Sequence, residues 1–184
     1  RGFSKKNVLN IMEEWRAIKK AIKDTIELLI EWNIHNEILR SKNALIPILY
    51  FLYKKSGKVT VNDKKELKKY IIHAQLKNIF GTHGDAVLSD IRLALRRKMP
   101  DGTYGLQNND FLLKDLMKQK KFGHNGNYSL ALTQDDLDEW CEEKKGSSTF
   151  MVLSLLYPYS KFIGEDMHQD HIHPNSGFTT EKLS

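Results

Sequence analysis

The hydrophobic positions of this 184-residue chain recur at helical spacing along most of its length. Within residues 4–33, Ile11, Trp15, Ile18, Ile22, Thr25, Leu29 and Trp32 follow one another at alternating gaps of four and three. A helix turns once in about 3.6 residues, so these gaps draw one stripe down a long helix and leave Lys5, Lys6, Glu13, Lys19, Lys20, Lys23 and Asp24 largely off it. The stripe fits a helix packed on its own domain, which is the preferred reading, and also a coiled-coil seam through which two copies would associate. Residues 42–55 are apolar on nearly every side through Ala44, Leu45, Ile46, Ile48, Leu49, Tyr50, Phe51 and Leu52, which predicts a central helix. Pro47 is tolerated only near its first turn, where a missing amide costs least, and Gly57 is a plausible stop.

A third helix, with Asn62 or Asp63 as cap, places Leu67, Tyr70, Ile71 and Ala74 on one face and ends at Gly81. Thr82 with Asp85 is close to a capping box and opens a fourth, in which Val87, Leu88, Ile91, Ala94 and Leu95 face inward while Arg92, Arg96, Arg97 and Lys98 lie elsewhere. Pro100, Asp101, Gly102 and Gly105 predict a turn-rich break. Further helices are expected over 109–120, after a cap formed by Thr133 and Asp136, and over 150–157 with Ser147 or Ser148 as cap and Pro158 as terminator. Trp15, Trp32 and Trp140 sit at helical spacing with other apolar residues, which makes them core before base-stacking platforms. Seven helical segments and no long alternating run predict a mostly α fold: a multi-helix bundle over 1–158, then a short extended segment at the C-terminus, within 159–184.

Composition narrows the class. At 40% hydrophobic and 28% charged residues, the chain has the balance of a folded domain rather than a disordered tail. The lone Cys141 excludes an internal disulfide and a zinc ribbon. No apolar stretch approaches the length of a membrane span and residues 1–10 lack the apolar run of a signal peptide, so a cytoplasmic protein without a membrane partner is expected. Lys and Arg total 29 against 23 Asp and Glu, and the net charge of +6 favours an anionic partner without naming one. Arg92, Arg96 and Arg97, with Lys118, Lys120 and Lys121, are candidate phosphate contacts, although such runs also serve as solvated helix faces.

The strongest chemical signal lies near the C-terminus. Met167-His168-Gln169-Asp170-His171-Ile172-His173-Pro174-Asn175-Ser176 holds three histidines and an aspartate within six positions, a density that random placement of seven histidines rarely produces. A nuclease using one hard divalent cation needs a carboxylate to hold the metal against the scissile phosphate and a neutral imidazole to take a proton from water. Asp170 followed by His171 supplies that pair, and an imidazole near its reference pKa of about 6.5 is mostly neutral at cellular pH. Successive strand positions face opposite ways, so all four side chains cannot converge as a zinc site without a bend, and His173 is expected to be exposed.

Asp170-His171-Ile172 with Pro174 and Ser176 resembles the core of the HNH, or ββα-metal, endonucleases. Phe150 to Pro158, a short spacer, and His168-x-Asp170-His171-Ile172-x-Pro174-x-Ser176 are together similar to the GmrSD-type modification-dependent restriction endonucleases. Gly84-Asp85-Ala86-Val87-Leu88-Ser89-Asp90-Ile91-Arg92 looks like a weaker pattern in the helical region of those proteins. The likeness is loose over most of the chain and sharp over about its last thirty residues. It implies a helical connector between an N-terminal domain that hydrolyses a nucleoside triphosphate and senses DNA, and a C-terminal HNH domain that cuts DNA. Carried over by position, it implies Asp170 as a ligand of Mg2+ or another divalent cation, His171 as the general base, and His168 as a further metal or phosphate contact. Two departures stand out. The family usually has lysine where this chain has Asn175, and the second half of the site, a strand and a helix bearing an Asn or His ligand, is expected beyond Ser184. The chain, which starts at Arg1 without methionine, is therefore expected to be an inactive fragment whose nuclease domain begins within 159–184. The alternative expectation is a non-catalytic helical module that binds nucleic acid or another protein.

Overall fold

Ser4 opens the first helix, its side-chain hydroxyl accepting a hydrogen bond from the Asn7 amide at 3.3 Å. In this computed structural model, which describes residues 4–36, 38–118, 122–123, 128–143 and 146–157, that helix is α1, Lys5–Glu31. Only its C-terminal half is packed. Ala21, Thr25, Leu28 and Leu29 are buried, and the Thr25 hydroxyl is satisfied within its own helix by donating to the Ala21 carbonyl at 2.8 Å. Of the predicted stripe, Thr25, Leu29 and Trp32 enter the core, whereas Ile11, Trp15 and Ile22 remain exposed. The helix packed against α1 is α2, Leu45–Lys54, and ten residues cannot cover twenty-seven. The packed-helix reading therefore applies to half of α1.

A single 3-10 turn, Lys42–Ala44, leads into α2, and Pro47 falls in its first turn as its missing amide requires. The next helix, α3, spans Val61–Leu76. Its cap is Thr60 rather than Asn62 or Asp63: the Thr60 hydroxyl accepts from the Asp63 amide at 3.0 Å while the Asp63 carboxylate accepts from the Thr60 amide at 2.8 Å. Asp63 is fully buried and does more than close the box. It pairs with the Lys55 ammonium at 2.9 Å, and its other oxygen accepts from the Phe111 amide at 2.9 Å. Lys55 in turn donates to the Asn109 carbonyl at 2.7 Å. One carboxylate thus ties the end of α2, the start of α3 and the segment before the fifth helix.

That segment explains why the helix expected over 109–120 is short. The Asn109 amide group bonds the Ser56 backbone in both directions and Phe111 points its N–H at Asp63, so helix α5 begins only at Leu113 and spans Leu113–Met117. Helix α3 also stops earlier than expected, at Leu76, and the turn that follows carries Asn78 in the left-handed region at φ 46°. Helix α4, Gly84–Leu95, starts after His83, and the predicted box between Thr82 and Asp85 does not form. Past α4 the chain makes a hairpin that the periodicity did not announce: β1, Arg96–Lys98, pairs antiparallel with β2, Tyr104–Leu106. In its turn the Asp101 carboxylate accepts from the Thr103 amide at 2.9 Å, and Gly102 takes φ 81°.

Helix α6, Gln134–Glu142, has the predicted capping box of Thr133 and Asp136. Helix α7, Ser147–Leu156, begins after Gly146, and Ser148 is no cap: its hydroxyl accepts from the Arg40 guanidinium at 2.7 Å. The main core gathers Phe51, Leu67, Tyr70, Ile71, Ile91, Phe111 and Leu116, with Phe111 edge-on to both Phe51 and Tyr70. A smaller cluster of Ile38, Leu76, Trp140 and Met151 joins α3, α6 and α7. Among the described residues the protein is thus mostly helical, with seven α-helices and one two-stranded sheet. No helix among them is long and apolar enough to cross a membrane. Pro158 and the expected extended segment lie outside the described residues.

Candidate functional site

Asp170, His171 and His168, the candidate metal and catalytic residues, lie outside the described residues, as do Lys120 and Lys121. Their donor set, a carboxylate oxygen beside an imidazole, suits a hard divalent cation. Among the described residues there is no group of three or more His, Cys, Asp or Glu that could hold a metal ion.

The basic candidates are placed by α4 and the hairpin. Arg92 is exposed near the end of α4. The register sets Arg96 opposite Leu106, Arg97 opposite Gly105, and Lys98 opposite Tyr104. Because side chains alternate along a strand, Arg96, Lys98, Tyr104 and Leu106 share one face of the hairpin and Arg97 takes the other. The Arg96 guanidinium lies over the Tyr104 ring, 4.4 Å from its centroid. Arg92 and Arg96 also converge electrostatically on Tyr50 of α2. Burial pushes the Tyr50 phenol above its ordinary pKa, against the opposing pull of Arg96 and Arg92. The Tyr50 hydroxyl is buried without a hydrogen-bond partner among the described residues.

The arrangement brings Arg92 and Arg96 together, adds Lys98 and Tyr104, and separates Arg97 from them. No carboxylate among the described residues pairs with Arg92, Arg96 or Lys98. Their charge is therefore uncompensated among the described residues, unlike that of Lys118, whose ammonium donates to Asp115 at 2.7 Å. Lys118 holds the Asp115 carboxyl below the usual range. A cavity of about 230 Å³ adjoins this face between α2 and α4, with Ile46, Pro47, Leu88 and Leu95 among its walls. Lys98 and Tyr104 were missed because 96–98 reads as the tail of a helix, where residues two apart diverge; in a strand they align. The signal available was the turn at Asp101 and Gly102.

Compared with known proteins, the chain matches no family model and no curated protein.

Proposed function

We propose that this chain is the helical connector and the opening part of the HNH domain of a metal-dependent, cytoplasmic DNA endonuclease that restricts foreign DNA, with modified phage DNA as the expected substrate. The observation that carries the reading is the run His168-x-Asp170-His171-Ile172-x-Pro174-x-Ser176. In it Asp170 supplies a hard oxygen ligand, and His171 takes the proton of the water that attacks phosphorus as one P–O ester bond breaks and its sugar oxygen leaves, taking up a proton from solvent. A bound divalent cation would stabilise the charge that builds on the phosphate. His168 contributes a further contact to metal or phosphate. On this reading an Asn or His ligand completes the site, and a nucleotide-hydrolysing domain acts with it.

The basic face of α4 and the hairpin supports a DNA partner, because guanidiniums and an ammonium that pair with no carboxylate among the described residues, beside an exposed aromatic ring, match a phosphate backbone. Each phosphate contact contributes a slope of about 0.9 to the dependence of log affinity on log salt. Replacing Arg92 and Arg96 together by alanine is expected to lower that slope by about 2 and to weaken DNA binding similarly across sequences. Fluorescence anisotropy on a short duplex at several salt concentrations measures both; an unchanged slope removes this face from the interface.

Metal dependence tests the nuclease reading itself. The full-length protein is expected to cut modified DNA in magnesium, to stop in excess EDTA, and to resume when magnesium is restored. Cutting that persists in EDTA would remove the cation from the mechanism.

A further inference from the structure

Helix α1 carries a second apolar stripe that no other described element covers. Val8, Ile11, Met12, Trp15, Ile22, Ile26 and Ile30 are 38–67% exposed. At about 100° per residue they fall within an arc of roughly 100°, its centre turned about 110° from the mean direction of the buried Ala21, Thr25, Leu28 and Leu29, of which Leu29 reaches the edge of the arc. The stripe is about 33 Å long at 1.5 Å per residue. Scattered exposed apolar residues are ordinary; seven on one line of one helix are a patch of the size that marks an interaction site.

From these observations we infer that α1 is a dimerisation helix, its outer stripe packing against the same stripe of a second copy in an antiparallel pair. Three features favour a second copy. The exposed fractions amount to roughly 600 Å² per copy, so a symmetric pair can remove up to about 1,200 Å², against the approximately 1,000 Å² that a specific interface needs. A straight stripe of this length requires a helix of matching length, and α1 itself spans 27 residues while α3, the next longest described, spans 16 and is committed to the core. The charge pattern then sets direction. Lys19 lies within the stripe's arc between Trp15 and Ile22. A parallel in-register pair sets Lys19 against Lys19 in an apolar seam. An antiparallel pair with its two-fold axis near Ala17 sets each Lys19 over the other copy's Trp15, which exchanges repulsion for a cation–aromatic contact. The inference rests on α1 alone and stands independently of the nuclease reading.

Sedimentation velocity of the 184-residue chain tests it. The expected mass is twice 21.4 kDa at micromolar concentration. Trp15→Glu with Ile22→Glu is expected to give a monomer with unchanged helical circular dichroism and the melting temperature of the wild type diluted below its dissociation constant, since both positions are exposed. Lys19→Ala is expected to weaken the dimer about threefold. A wild-type monomer at about 100 µM, a dimer indifferent to the double substitution, or binding of the monomer to anionic phosphatidylserine vesicles through this stripe would overturn the proposal. Tightening by Lys19→Ala would overturn the antiparallel arrangement.

Discussion

Replacing Asp63 with alanine is expected to destabilise the fold by about 3–5 kcal/mol, the usual consequence of stranding one partner of a buried ion pair. Lys55 and Asp63 have side chains 3% and 0% exposed. Four donors aim at the one carboxylate: the Lys55 ammonium, the amide and hydroxyl of Thr60, and the Phe111 amide. Alanine removes that acceptor from the Thr60 and Phe111 donors and leaves the nearly buried Lys55 ammonium with only the Asn109 carbonyl and the Asp110 carboxylate, 3.3 Å away. Asp63→Asn is expected to recover only part of the loss, because an amide nitrogen then meets donors. For a chain of this length the alanine change corresponds to a fall of about 10 °C in melting temperature. A change below about 1 kcal/mol in a denaturant titration would show that the pair is dispensable.

The same pair gives stability a pH dependence of defined sign. Burial alone would raise the Asp63 carboxyl, but the hydrogen bonds from Lys55, Phe111 and Thr60 outweigh it and hold the folded pKa below its ordinary value. Its contribution is therefore full above the unfolded carboxylate value of about 3.9 and is lost as pH falls through the lower folded value. Burial likewise opposes the charge on Lys55, yet the Asp63 and Asp110 contacts raise its pKa. That contribution is full below the unfolded lysine value of about 10.4 and is lost as pH rises through the higher folded one. In Asp63→Ala the acid limb is expected to flatten.

Asp170→Ala in the full-length protein is expected to reduce magnesium-dependent DNA cleavage about a thousandfold, because several kcal/mol of transition-state stabilisation depend on holding the cation. DNA affinity is expected to stay within about threefold of wild type, since phosphate contacts elsewhere dominate binding. If cleavage and affinity fell together, Asp170 would instead act through folding or docking. The split between rate and binding therefore distinguishes a metal ligand from a structural residue.

Local signals in the sequence were most reliable where a single interaction decides the structure. Thr133 with Asp136 announces a helix start because the box is complete within four residues. The box of Thr60 and Asp63 was misplaced because Asn62 and Asp63 are themselves favoured caps, and nothing local reveals that Asp63 is also claimed by Lys55 and Phe111, the latter 48 positions away. That distant claim shortens α5. The hairpin escaped notice because strands of three residues are too short to alternate legibly, and with it went the separation of Arg96 from Arg97. On α1, spacing reported an apolar stripe but could not assign its residues to inner and outer faces, which depends on where the shorter α2 packs. The acid and imidazole of the candidate metal site are legible only as a motif, since proximity in sequence is their whole signal.

The most direct measurement compares initial cleavage rates of the full-length protein and its His171→Ala variant on the same modified DNA with saturating magnesium. Loss of a positioned general base is expected to slow cutting by about 10²–10⁴-fold and to abolish the acid limb of the pH–rate profile. Equal rates for the two proteins, with the same pH profile, would contradict the assignment of His171 to the chemistry.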